Sequence, residues 1–375
     1  MAGGGGQETS GAGRNSPGSL IRSIDELPPR LRDSASAEER AFTGGLEAAG
    51  RLPFAVTAHF ASLAGPGADD PIRRQFFPDP REALSESGPF ALPDPLGEGR
   101  HRVCPRLVHQ YPGRVLLLAG GACAGYCRHC FRRVRMSGGS AFITEGELEP
   151  VLSYLAAHGE VRELLVSGGD PLTAPDAALE TLFTKLRGAN AALALRVCTR
   201  VPITEPARLG PPTAAMLAAR KPLRVSVHIN HPRELAAEAR RSLACLTGAR
   251  IPVLVQTVLL KGINDSAETL AALFRDCLDL GLAPYYLFQL DLAPGTAHFR
   301  VPLGRALALY RELAERWART GGEAARLPAY AVDLPGGGGK IRLSEQSIAR
   351  KEDRPEGPVY LLRAADGSLW PYPAE

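Results

Sequence analysis

The sequence predicts an α/β protein, built as an open or partial barrel of six βα units. From Arg114 onward, short apolar runs recur, several of them rich in β-branched residues, and helical periods lie between them. Such runs suit strands buried on both faces of a parallel sheet. Strands alternating with helices give βαβ units. The count of runs falls short of the eight units that close a full (β/α)8 barrel.

The elements follow in order along a chain of 375 residues, a length that fits one large domain with extensions, or two domains. Residues 1–20 are rich in Gly, Ser and Asn, without an apolar period, and are expected to be disordered. Residues 21–100 form a helical and irregular region. Ser36 and Glu39 are spaced as a capping box opening a short helix to Thr43. Pro53, Pro66, Pro71, Pro78, Pro80, Pro89, Pro93 and Pro95 then break the chain into a wrap over a neighbouring domain.

The barrel is expected over residues 101–312. Its strands are read at Val115–Ala119, Glu163–Val166, Leu193–Cys198, Leu223–Ile229, Val253–Leu260 and Pro284–Leu290. Thr144 and Glu147 make a second capping box, followed by Leu148, Val151, Leu152 and Leu155 on one helical face. Leu235, Ala239, Leu243 and Leu246 form another stripe, and Leu270, Leu273, Phe274, Cys277 and Leu278 a third. Residues 313–375 form a last segment. It holds Pro328–Asp333, a glycine run ending at Lys340, and an expected terminal hairpin from Val359–Leu362 and Asp366–Trp370.

Composition narrows the function. Hydrophobic residues make up 45% and charged residues 22%, the balance of a soluble globular protein, which excludes global disorder. The net charge of +4 is mild and evenly spread, so neither nucleic acid nor an anionic membrane is an expected partner. No apolar run approaches the roughly 18 residues of a membrane span, and the start does not read as a secretory signal. The seven cysteines are odd in number and three fall within eight residues. That is unlike a secreted disulfide framework and fits a reduced compartment, the cytoplasm.

Those three cysteines carry the chemistry. Cys123-Ala-Gly-Tyr-Cys127-Arg-His-Cys130 follows the first strand and is preceded by Gly120-Gly121. Three thiolates on one tight loop suit three irons of a cubane, leaving the fourth iron open to a small chelating molecule. A structural zinc site wants four ligands, and His129 lies at an awkward spacing for the fourth. Pro335-Gly-Gly-Gly-Gly-Lys340 is the second feature singled out, a lysine that ends a run of four glycines. A phosphate loop would need Ser or Thr after the lysine; Ile341 stands there.

The cysteine motif resembles that of the radical S-adenosylmethionine enzymes. HQYPGRVLLLAGGACAGYCRHCFRR, LLVSGGDPL, HINHP, QTVLLKGIND, PYYLFQLD and VDLPGGGGK resemble, in order, the lysine 2,3-aminomutase family. The likeness runs from about Leu52 to the C-terminus. It implies a partial (β/α)6 radical SAM barrel with a C-terminal pyridoxal-phosphate-binding segment. It implies that Cys123, Cys127 and Cys130 hold a [4Fe-4S] cluster whose open iron chelates S-adenosylmethionine. It implies that Ser167, Gly168, Gly169 and Asp170 lie near the methionyl end of that cofactor. Gln256, His228, His129 and Tyr111 are further cofactor contacts on the same likeness. Lys340 matches the pyridoxal-phosphate lysine, to which the glycines would supply mobility, and Arg114 a phosphate contact. Gln110 stands where relatives carry a basic residue, which weakens that contact. Arg132 matches the residue that pairs with the substrate α-carboxylate, and Asp291 and Asp333 the two acids that hold the lysine ammonium.

The expected activity is therefore a 2,3-aminomutase converting L-lysine to β-lysine, with arginine or glutamate as alternative substrates. Its product serves metabolism or elongation factor P modification. The expected partners are L-lysine and an electron donor such as flavodoxin or ferredoxin. No cysteine follows Cys277, so the inter-subunit zinc site of clostridial-type enzymes is expected to be absent, leaving a homodimer or a monomer. The alternative from another class is a non-catalytic iron–sulfur or zinc-binding scaffold with a glycine-rich arm.

Overall fold

The computed structural model describes residues 19–136, 142–321, 323 and 326–375. The tail read as disordered lies outside these residues up to position 18.

Ten strands form the main sheet, in the order they occur in the chain. After the small antiparallel pair β1 (Leu20–Ile21) and β2 (Val56–Thr57), they are β3 (Arg102–Cys104), β4 (Leu107–Tyr111), β5 (Arg114–Gly120), β6 (Glu163–Gly168), β7 (Ala194–Thr199), β8 (Leu223–His228), β9 (Val253–Val258), β10 (Ala283–Phe288), β11 (Ala329–Leu334) and β12 (Gly339–Arg342). Strands β5 to β11 run parallel. The outer strands β3, β4 and β12 pair antiparallel. Each parallel step is bridged by a helix. These are α2 (Glu145–Ala157), α3 (Asp176–Ala189), α4 (Pro211–Ala218), α5 (Ala237–Gly248), α6 (Ala267–Asp279) and α7 (Leu303–Arg319), with α1 (Ala37–Gly44) lying outside the barrel. The architecture is thus the partial α/β barrel the sequence predicts: six βα units, then a seventh parallel strand.

The sheet curls until its ends meet through side chains. The backbone N–H of Lys340 on β12 donates to the Tyr111 hydroxyl on β4 at 2.9 Å, and Gln110 Nε2 donates to the Gly337 carbonyl at 3.2 Å. No backbone ladder joins β3 to β12 among the described residues, so the barrel is closed by contacts a ligand can interrupt.

Both expected capping boxes are present. Ser36 accepts from the Glu39 N–H, and Thr144 from that of Glu147. Leu148, Val151 and Leu155 of α2 are buried against the sheet.

Three readings need correction. The strands are not apolar on both faces. Leu164, Val166, Leu195, Val197, Val225 and Val227 are buried under the helices, while the alternate positions carry Glu163, Ser167, Arg196, Arg224, Ser226 and His228. Side chains alternate across a strand, so the barrel interior carries polar groups among its apolar ones. The runs read as continuous because Leu116, Leu118 and Leu165 also fall on the inner face. Second, the boundary drawn at 312/313 falls inside α7, whose Leu303, Ala306, Leu309, Leu313 and Trp317 are buried. This helix leads into β11, so the last segment begins as part of the barrel. Third, the terminal hairpin is two strands of a three-stranded sheet: β13 (Ile348–Arg354), β14 (Gly357–Arg363) and β15 (Leu369–Pro373). Strand β13, IARKEDR, is half exposed and has no apolar run to announce it.

The N-terminal region wraps over the cysteine loop. Phe54, Phe60, Phe76 and Phe77 pack ring to ring, and the Tyr126 and Arg128 N–H groups donate to the Ala55 and Gln75 carbonyls, each at 2.9 Å. A buried ion cluster pins the wrap. Fully buried Glu82 accepts from Arg128 Nε at 2.8 Å and Nη2 at 2.6 Å, and also pairs with Arg133. Glu82→Ala leaves two buried guanidiniums without their carboxylate. The expected loss is about 3–5 kcal/mol, read as a fall in the urea midpoint of unfolding. Among the described residues, no helix is long and apolar enough to cross a membrane.

Candidate active site

The loop after β5 carries the three cysteines at the C-terminal end of the sheet, where the loops of an α/β barrel line its working face. It is held by close backbone contact with the loop after β6. The Gly169 N–H donates to the Gly120 carbonyl at 2.6 Å and the Asp170 N–H to that of Ala122 at 2.8 Å. A Cβ on Gly168 would stand 2.4 Å from the Gly120 oxygen, and one on Gly169 would stand 2.2 Å from that of Ala122. Both glycines are therefore required by the approach of one loop to the other. Gly168 also takes φ +113°, in the region that favours glycine.

Two of the thiols are strongly perturbed. Burial pushes Cys123 well above the usual thiol range, helped by Asp170 and by the other two cysteines. Burial, then Cys127, pushes Cys130 up to about 11. Cys123 and Cys130 are raised in part by neighbouring cysteines, and a bound cation is what would make their thiolates favourable. Cys127 Sγ also accepts from Arg200 Nη1 at 2.7 Å. Among the described residues, no three His, Cys, Asp or Glu side chains gather closely enough for a single metal ion. A structural zinc site takes four ligands, whereas three thiols on one loop suit three irons of a cubane. The donor set fits an iron–sulfur cluster.

A cluster of charged side chains gathers at the strand ends. Lys340 is held on β12 directly opposite Asp333 of β11. Its Nζ lies 2.6 Å from Asp333 Oδ2 and 4.0 Å from the centre of the Phe288 ring, with Tyr286 at 5.3 Å. Asp291, just past β10, is pushed up to about 8 by burial and then by Asp333, against the pull of Lys340 and Arg132. Arg132 donates from Nη2 to Glu98 Oε1 at 2.5 Å and from Nη1 to Ser167 Oγ at 3.3 Å. Lys340, Asp333, Asp291, Arg132 and Ser167 are thus brought together from four separate segments. Tyr111 joins them through its bond to the Lys340 N–H. Two buried polar atoms of the barrel, Ser226 Oγ and His129 Nδ1, have no protein partner among the described residues. A polar ligand in the barrel would give them one.

His228, Gln256 and Tyr286 share one row of the sheet. His228 is held down to about 3 by burial and then by Arg200, so it is neutral, and its Nε2 lies 3.0 Å from Asn230 Oδ1. His129 is likewise neutral through burial, edge-on to His228 at 5.6 Å.

Three expected roles look different in three dimensions. The Asp170 carboxylate is saturated: it accepts from the Thr199 hydroxyl at 2.7 Å and from the N–H groups of Leu172, Arg200 and Val201 at 3.1, 2.6 and 3.1 Å. With its lone pairs taken, it latches β6 to β7 and is not free to meet a cofactor. Arg114 pairs with Glu163 at 2.5 Å, and Glu163 also binds Arg196 at 2.7 Å, so any phosphate contact by Arg114 would be shared with that carboxylate. The glycines before Lys340 form a packed turn. Gly336, Gly337 and Gly339 have positive φ, and a Cβ on Gly338 would stand 2.6 Å from Trp370. Shape demands them, not slack. Strand β15 buttresses the same region through the Tyr372 hydroxyl, which donates to the Leu290 carbonyl at 2.6 Å.

Sequence reading missed Glu98, Arg200, Arg196 and the Phe288 ring. Arg200 is buried among Cys127, Gln75 and Glu234. A lone Arg or Glu in an unpatterned segment gives no signal until the fold supplies its partner.

A parallel barrel with three thiols on its first loop defines a radical S-adenosylmethionine protein, and residues 117–274 match the Radical SAM superfamily. A Treponema pallidum (strain Nichols) protein, named provisionally as an L-lysine 2,3-aminomutase, is 44% identical over 319 residues, covering 84% of this chain and 87% of its own. The L-lysine 2,3-aminomutase of Clostridium subterminale is 34% identical over 355 residues, covering 94% and 81%. That of Escherichia coli (strain K12) is 40% identical over 249 residues, covering 65% and 71%. The chain belongs to the lysine 2,3-aminomutase family.

Proposed function

We propose that this chain is a radical S-adenosylmethionine, pyridoxal-phosphate-dependent 2,3-aminomutase that moves the α-amino group of L-lysine to C3. The observation that carries the reading is the convergence of Lys340, Asp333, Asp291 and Arg132 at the strand ends. Cys123, Cys127 and Cys130 would hold a [4Fe-4S] cluster, with S-adenosylmethionine on its open iron, and Lys340 would hold pyridoxal phosphate. When bound, these groups supply one-electron chemistry that breaks an unactivated C–H bond and an acceptor π bond for the migrating nitrogen.

The protein's own residues select and orient. Arg132 takes the substrate α-carboxylate. Asp333, which pairs with the Lys340 ammonium, is free to take the substrate's side-chain ammonium once Lys340 is engaged with the cofactor, and Asp291 is the second acid. Two carboxylates attract a cationic side chain and repel that of glutamate. Phe288 and Tyr286 wall the pocket and help exclude water. Electrons come from a flavodoxin or ferredoxin, and the enzyme works in the cytoplasm as a homodimer or monomer.

Anaerobic incubation with reductant and L-lysine, L-arginine or L-glutamate tests the reading. β-Lysine is the expected product; absence of any β-amino acid from all three refutes it. Exchange of Asp333 for Asn is expected to depress lysine turnover, and unchanged turnover would remove the ammonium pocket from the argument.

The pH dependence has a definite sign. With its acid raised to about 8, free Asp291 holds a proton at neutral pH, and a bound ammonium favours the ionised form. That proton must leave when lysine binds. The kcat/KM for lysine is therefore expected to rise about tenfold per pH unit up to about pH 8 and then level off. Asp291→Asn should abolish that rise. A wild-type profile flat between about pH 6 and 8 contradicts the assignment.

A further inference from the structure

The fork of Arg132 is already half occupied, and by an acid outside every motif. Glu98 is buried at 4% exposure. Its Oε1 accepts from Arg132 Nε at 3.2 Å and from Nη2 at 2.5 Å, so it takes the side edge of the guanidinium. Ser167 Oγ takes one Nη1 hydrogen at 3.3 Å. A guanidinium has five N–H donors. The three taken leave one on Nη1 and one on Nη2, both able to donate to a carboxylate. Arg135 Nη1 lies 4.0 Å from the other oxygen of Glu98, so two cations face this one acid.

Glu98 is itself fixed. It opens a short turn, Glu98–His101, whose first N–H groups donate to Asp94: Glu98 to Oδ1 at 3.0 Å and Gly99 to Oδ2 at 2.7 Å. Gly97, at φ +64°, lies against the hairpin that carries Lys340. A Cβ there would stand 2.6 Å from the Gly336 carbonyl carbon, and the Gly336 N–H donates to the Pro95 carbonyl at 2.7 Å. One turn thus touches both the carboxylate anchor and the lysine hairpin.

We propose that Glu98 is the positioning residue of Arg132: it holds the side edge of the guanidinium so that the end edge faces the pocket as a bidentate site for the amino-acid α-carboxylate. This rests on the role given to Arg132 above. Glu98 does not touch substrate; it sets the angle at which Arg132 does.

The test compares wild type with E98Q, both loaded with cluster and pyridoxal phosphate. The ligands are L-lysine and cadaverine, which is lysine without its carboxylate. Binding is read anaerobically from the change in the visible band of the bound cofactor, and turnover from β-lysine formation. E98Q is expected to raise the lysine KM and dissociation constant about 10- to 100-fold, the scale of a hydrogen bond to a charged group. The kcat should change by less than about threefold, and cadaverine binding should be unaltered. E98D, which keeps the charge with a shorter reach, should recover part of the loss; if E98Q does not fold, E98D must show the same split in milder form. Equal lysine affinity in wild type and variants overturns the positioning role, as does equal weakening of lysine and cadaverine, which marks a merely structural part. Wild type that binds no lysine overturns the aminomutase reading and this inference with it.

Discussion

Lys340→Ala is expected to abolish turnover, with a fall of roughly a thousandfold or more, the scale of removing a covalent catalytic group. The visible band of bound pyridoxal should vanish while the broad absorption of the cluster remains. The physical reason is singular placement. Lys340 Nζ sits 2.6 Å from Asp333 and over the Phe288 ring, and its strand is held by the Tyr111 hydroxyl. The remaining described lysines are at 185, 221, 261 and 351. Lys185 pairs with Glu145 and Lys221 Nζ reaches the Ala249 carbonyl, both away from this pocket. Because Lys340 lies on an edge strand, Ala should be accommodated without unfolding, so unchanged urea midpoints would assign the loss to chemistry. Turnover retained at the wild-type rate would remove the pyridoxal assignment altogether.

Replacing Cys127 by Ala should have the larger spectroscopic effect. Two thiols remain, too few to hold three irons of a cubane, so iron content, the broad visible absorption and reductive cleavage of S-adenosylmethionine should all be lost together. The variant also removes the acceptor 2.7 Å from Arg200 Nη1. That guanidinium keeps Glu234 and Gln75, so the loss of stability should stay within about 1–3 kcal/mol. Cys245→Ala, on the outer helix α5, is the control and should retain iron. Cluster assembly on C127A at wild-type stoichiometry would show that the three-cysteine loop is not its seat.

How much of this was legible differs between parts of the molecule. The six βα units could be read because the strands appear as recurring apolar runs and three of the helices show a core face through a 3.6-residue period, and both are local patterns. The cysteine motif could be read because its three thiols lie on one loop. Lys340, Asp333, Asp291 and Arg132 were reached only through motif likeness, since nothing in their spacing says that residues 132 and 340 share a pocket. Asp170 shows the reverse: its motif suggests a cofactor contact, while three backbone N–H groups and one hydroxyl fill its carboxylate.

By itself, the sequence determined the class of fold and singled out the three-cysteine loop, because periodicity and short-range spacing act within a few residues of chain; Lys340 was reached through likeness to a family. Only the tertiary structure decided that the barrel interior carries polar groups among its apolar ones, that Glu98 and Ser167 take three of the five donors of Arg132, and that Tyr111 closes the two ends of the sheet. Those facts depend on where a curled sheet brings distant strands. The charge and burial of a side chain are set by the neighbours it meets there, which no local pattern encodes.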